Sequence, residues 1–244
     1  MITQNNLKVL LAELVGTFLL VFIGGGAGVA AALNGFPGGF GLLIAALAHG
    51  FALFIIVSVI GQISGAHVNP AVTISLAVIK KFPWSKVAEY IIAQFIGAFL
   101  ATLAIIGIYG SKAVSVAGAS APSLASNVTG MQGTLAEILG AFILIICVVA
   151  AAADSRLHLP NGWAGLVIGL GLASAIFVAG PASGAGLNPA LALSPYITSV
   201  IFGGHVFAGE IPVYLFGPII GGVVAALLYR YMSDMNVQTA AKKK

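Results

Sequence analysis

The sequence predicts an all-α membrane protein: six transmembrane helices plus two re-entrant half-helices in an inverted repeat. Three observations predict it. Of 244 residues, 60% are hydrophobic and 7% charged, with a mean hydropathy of +1.11, where a soluble domain carries about 25% charged residues. Two near-identical segments, Ser64-Gly65-Ala66-His67-Val68-Asn69-Pro70-Ala71-Val72 and Ser183-Gly184-Ala185-Gly186-Leu187-Asn188-Pro189-Ala190-Leu191, lie 119 positions apart. A second motif, Ala12-Glu13-Leu14-Val15-Gly16, recurs as Ala136-Glu137-Ile138-Leu139-Gly140.

Stretches of the roughly 20 apolar residues that a span needs cover 9–33, 39–61, 87–109, 133–153, 163–180 and 211–232. The first is too long for a signal-peptide core and reads as a span. Two further apolar stretches, 69–79 and 188–201, are too short to cross, and each follows an Asn-Pro-Ala motif. Irregular backbone at membrane depth is tolerated only where it is buried in protein or lines a cavity. Two matching breaks therefore point to a solute path. One channel domain is expected over 1–232, with repeats at about 8–110 and 131–232. Residues 110–130, rich in Ser, Ala and Gly, read as a long outer surface loop, and Asn127-Val128-Thr129 within it fits a glycosylation sequon. Residues 233–244 read as a disordered, basic cytoplasmic tail.

Lys and Arg set the orientation. Lys8, Lys80, Lys81, Lys86, Arg156, Arg230 and Lys242 to Lys244 fall on one side of a six-span arrangement and Lys112 alone on the other, nine against one. This places both termini in the cytoplasm, in a multi-pass protein of the plasma membrane. The basic residues sit at span ends, so the net charge of +4 implies no nucleic-acid partner. Cys147, the single cysteine, lies in an apolar run, where packing is its default role. His158 and His205 are loop residues without ligand-like neighbours, and no metal site is expected.

Asn is a strong helix N-cap and Pro suits the first helical position. Asn69-Pro70-Ala71 and Asn188-Pro189-Ala190 therefore start helices abruptly. An odd number of spans per repeat inverts the second copy, so the two N-termini face each other near the midplane. Each carries roughly half a positive charge, which raises the energy of any cation between them while the Asn amides still donate to neutral solutes. The preceding stretches run extended toward the midplane, and the carbonyls of Gly65, Ala66, His67, Gly184 and Gly186 are expected to line the pore. Glu13 and Glu137 are intramembrane carboxylates, which face the protein interior and pair with polar groups. Accepting bonds from the loop N–H groups is the favoured role, with a proton relay as the alternative.

On these residues the chain resembles the aquaporin and aquaglyceroporin family, the major intrinsic proteins, from Lys8 to Tyr231. Gln94-Phe95-Ile96-Gly97-Ala98 and Gly217-Pro218 add to the match. The resemblance implies a homotetramer with one pore per subunit, set in the lipid bilayer. It also implies passive flux of water or small uncharged solutes, no cofactor and no enzyme activity. It places a four-residue selectivity filter on the outer side of the paired motifs, which maps to His49, Ile176, Ala185 and Leu191. Most members have Arg where Leu191 stands. Glycerol facilitators usually have Asp at the position of Ala192, and Tyr214-Leu215 matches neither the water-channel nor the glycerol-channel pair. The filter resembles that of some plant vacuolar members. It implies a wide, uncharged constriction that passes water, glycerol, hydrogen peroxide, urea and protonated lactic acid. A filter in which Leu191 packs sideways would be mainly water-selective. His49 is read as a neutral pore-lining side chain or as a pH-sensitive one, and His67 as lining the inner pore or bracing its loop. Two other classes stand beside the channel: an ion-coupled secondary transporter and a non-conducting junction protein.

Overall fold

The structure, a computed structural model, describes residues 4–36, 38–154, 159–160, 162–204 and 208–241. Arg156, His158, His205 and Lys242 to Lys244 lie outside the described residues. Among the described residues, six apolar helices are long enough to cross a bilayer: Asn6–Leu33, Gly38–Ser64, Trp84–Tyr109, Gly130–Ala153, Trp163–Ser183 and Ala208–Ser233. These are spans 1 to 6 below. Two short helices, Pro70–Val78 and Pro189–Ile201, follow spans 2 and 5. No strand occurs among the described residues. The outer surfaces of the spans are apolar, with Val59 67% and Val178 65% exposed, as lipid-facing residues must be.

Close backbone contacts repeat between the halves. A Cβ at Gly97 of span 3 would collide with the Leu14 carbonyl of span 1, and one at Gly221 of span 6 with the Ile138 carbonyl of span 4. Spans 2 and 5 cross at Gly50 and Gly169, equivalent residues 119 apart. A Cβ on Gly50 would lie 2.8 Å from the Gly169 carbonyl oxygen. Small residues at crossings are how helices associate in lipid, where packing rather than the hydrophobic effect holds them.

Three features depart from the sequence reading. Span 1 contains a π-helical turn at Val21–Gly25, and span 4 contains one at Val149–Ala153. The outer connection at 110–130 is not a plain surface loop. It forms a helix at Ser111–Ser115 and a 3-10 turn at Gly118–Ser120, and it buries Ala113, Val114 and Ala119. The apolar side chains in that Ser/Ala/Gly stretch give it something to bury, so it folds back onto the helix ends. Tyr196 Oη donates to Pro122 O at 2.8 Å, and Leu124 N to Glu210 Oε2 at 3.1 Å, holding it there. Finally, the last helix continues to Ala241, so the stretch read as a disordered tail from Ser233 is helical that far.

Candidate pore and its paired half-helices

Each half-helix starts where the sequence places it. Asn69 and Asn188 are extended N-caps followed by Pro at the first helical position. Asn69 Oδ1 accepts from Ala71 N at 2.8 Å, and Asn188 Oδ1 accepts from Ala190 N at 3.0 Å and Leu191 N at 3.3 Å. The amide ends cross to the opposite half. Asn69 Nδ2 donates to Leu187 O at 3.0 Å, and Asn188 Nδ2 donates to Val68 O at 2.8 Å. Both helix N-termini are thereby tied together in the interior. Each Asn amide keeps one N–H beyond the crossing bond.

The loops before the caps are strained in matching places. Ala66, Val68, Ala185 and Leu187 have φ of 49°, 43°, 52° and 49°, a left-handed conformation that side chains disfavour. Such residues cost about 1–3 kcal/mol each and persist where surrounding bonds over-determine them. Here the two glutamates do so. Glu13 Oε1 accepts from Ser64 Oγ at 2.7 Å and His67 N at 2.9 Å, and its Oε2 from Val68 N and Gln94 Nε2, both at 2.8 Å. Glu137 Oε1 accepts from Ser183 Oγ at 2.6 Å and Gly186 N at 2.8 Å, and its Oε2 from Leu187 N at 2.6 Å. The left-handed turns aim consecutive N–H groups at one carboxylate, a backbone anion nest.

Two tyrosines complete the frame. Tyr90 Oη donates to Ser64 O at 2.8 Å, and Tyr214 Oη to Ser183 O at 2.7 Å. Sequence reasoning missed this pair, although their separation of 124 equals that of Glu13 and Glu137. In the first half His67 Nδ1 also lies 3.1 Å from Thr73 Oγ1, with the ring packed edge-on to Phe82. The second half has Gly186 and Ala192 at these positions. A Cβ on Gly186 would lie 2.7 Å from the Tyr214 ring, so no side chain fits there.

Two cavities follow one another along the molecule. The inner one is lined by the loop residues Gly65 to Asn69 and Ala185 to Asn188, and by aliphatic side chains of spans 1, 2, 4 and 5. The outer one is lined by Gly24, Gly25, Ser120 to Ser123 and Gly184 among others. His49, Ile176, Ala185 and Leu191 line both cavities and so sit where they meet. His49 Nδ1 lies 2.8 Å from Ala45 O. A carbonyl only accepts, so Nδ1 carries the proton, and in a neutral ring Nε2 is an acceptor. The ring lies over Gly24 in the π turn, where any Cβ would collide with it. Cys147 packs against Gly171 at the contact of spans 4 and 5 and lines neither cavity. No group of three His, Cys, Asp or Glu that could hold a metal occurs among the described residues.

The family model "Major intrinsic protein" matches residues 1–229. Aquaporin AqpM of Methanothermobacter marburgensis is 39% identical over 239 residues, spanning 92% of this chain and 96% of that protein. Aquaporin TIP2-1 of Arabidopsis thaliana is 38% identical over 231 residues, spanning 92% and 86%. The aquaglyceroporin structure from Plasmodium falciparum superposes with a TM-score of 0.83 at 27% identity, covering 91% of this chain and 95% of that one.

Proposed function

The chain belongs to the major intrinsic protein family, and on that premise we propose that its passage admits neutral solutes larger than water. At the family level it is a multi-pass membrane channel for water and small solutes and not an enzyme. The finer reading is a wide, uncharged outer constriction of His49, Ile176, Ala185 and Leu191 that passes glycerol, hydrogen peroxide, urea and protonated lactic acid. The observation that carries it is Leu191, an aliphatic side chain lining both cavities at their junction. An Arg there would narrow the junction, donate hydrogen bonds and add fixed charge. Leu does none of these. His49 supplies one acceptor for a solute hydroxyl against three apolar side chains, a setting suited to a molecule with one polar and one carbon face.

Cation exclusion then falls mainly to the half-helix N-termini. Each points roughly half a positive charge at the crossing, and the Asn69 and Asn188 amides retain donors for a neutral guest. The carbonyls of Gly65, Ala66, His67, Gly184 and Gly186 are proposed as the acceptors along the way. Ion coupling is disfavoured because Glu13 accepts four hydrogen bonds and Glu137 three from the donors around them. We place the channel in the plasma membrane with both termini cytoplasmic, as a homotetramer.

Stopped-flow flux into proteoliposomes, over water, glycerol, urea and hydrogen peroxide, tests the reading, with low-pH uptake for lactic acid. Leu191→Arg is expected to cut the larger solutes more than water. Equal reduction of all solutes would remove Leu191 from the constriction. A wild-type channel that passes water alone would return the mainly water-selective reading.

A further inference from the structure

We propose that the passage carries a second constriction, a wholly aliphatic ring of Val57, Ala66, Val72 and Ile168 in the half opposite His49. This ring limits how readily water crosses. The proposal rests on the inner cavity being the conduction path.

The repeat locates the ring. Subtracting the 119-residue offset from Ile176, Ala185 and Leu191 gives Val57, Ala66 and Val72, and adding it to His49 gives Ile168. All four counterparts line the inner cavity, and none lines the outer one. Three of the four are buried, Val72 and Ile168 each 3% exposed and Ala66 6%, against 5% for Ile176 and 7% for Ala185, while Val57, like His49 and Leu191, is half-buried.

The two rings differ in chemistry. His49 gives the outer ring one hydrogen-bonding side chain, and its counterpart Ile168 gives the inner ring none. In the outer cavity, span 1 presents Gly24 and Gly25 from its π turn. In the inner cavity, span 4 presents Val148 and Ala152, before and within its own π turn. On the outer side the Gly24 and Gly25 hydrogens are covered by the His49 ring and by Ser120, so polar side chains stand there where span 4 offers the inner cavity only methyl groups. An aliphatic constriction resists wetting: its four side chains offer a water molecule no hydrogen bond, which leaves that to His67, Asn69, Asn188 and the proposed loop carbonyls in the same cavity. A solute with a carbon face loses less.

Val57→Thr tests this, since it adds a hydroxyl with little change of volume. It is expected to raise single-channel water permeability about fivefold, one hydrogen bond's worth, with flux of glycerol, which has a carbon face, changing much less. Ile168→Thr should act in the same direction. Val59→Thr on the lipid-facing side of the same helix, where Val59 is 67% exposed, should change nothing. Water permeability unchanged in both Val57→Thr and Ile168→Thr, while the wild type conducts well above empty liposomes, would overturn the ring. Wild-type flux no greater than that of empty liposomes would instead overturn the conduction path on which it rests.

Discussion

Glu137 shows how much of the pore depends on single side chains. Its carboxylate accepts the N–H groups of Gly186 and Leu187 and the hydroxyl of Ser183, all buried. Glu13 does the same work with a fourth donor, Gln94. The difference traces to the repeat, because the residue equivalent to Gln94 is Pro218, which has no donor. A Glu137→Gln substitution keeps the shape but turns one acceptor into a donor facing other donors. It is expected to destabilise the protein by about 1–3 kcal/mol, the penalty of a buried unmade bond, read as a lower midpoint of thermal unfolding in detergent. An unchanged midpoint would mean that the carboxylate does not hold the second loop. The carboxylates were visible in the sequence as intramembrane acids. The loop N–H groups were the expected donors, but which of them was not legible, since His67 and Val68 lie 54 and 55 residues from Glu13.

At the scale of elements, the half-helices were readable and the π turns were not. Asn-Pro at a helix start is a local signal, and both helices begin at the residues it predicts. A π turn has no comparable local signature. It inserts a residue into an otherwise regular helix, and such turns cluster at functional sites. The turn at Val21–Gly25 brings Gly24 under the His49 ring. Gly24→Ala is therefore expected to push the ring toward the passage and lower flux of every solute. His49→Ala in the same chain should restore it. Loss of flux that persists in the double variant would point to damage of span 1 rather than to the ring. The outer connection carries the same lesson. Its small residues read as a loop, yet Ala113, Val114 and Ala119 are buried and Ser120 to Ser123 line the outer cavity.

Across the whole molecule, two inverted halves meet along one axis. The crossing of spans 2 and 5 at Gly50 and Gly169 and the paired amide bonds of Asn69 and Asn188 both join equivalent residues or their neighbours. The lining of the inner cavity follows the same pairing: Leu20 with Leu144, Leu53 with Leu172, Val68 with Leu187. A Cβ at Gly169 would lie 2.9 Å from Phe54 Cβ and collide with the Gly50 carbonyl. Gly169→Val should consequently force spans 2 and 5 apart, at a cost of about 1–3 kcal/mol or more for an overpacked contact. The expected signs are a lower unfolding midpoint and reduced flux of all solutes together. A selective change in one solute would mean that the crossing shapes the passage and does not merely support it.

The sequence by itself determined the membrane class, the six spans, the two half-helices and the inverted repeat. These rest on composition, apolar run length and short motifs, all of which act within a few neighbouring residues. Only the tertiary structure decided which partners the polar groups meet. It joined Asn69 to the carbonyl of Leu187, 118 residues away, and Asn188 to that of Val68, 120 away. It set His49 over Gly24 and brought His49, Ile176, Ala185 and Leu191 to the junction of two cavities. The reason is physical. A buried polar group must be satisfied, but any donor within reach will serve, and which donor is within reach depends on how distant helices pack.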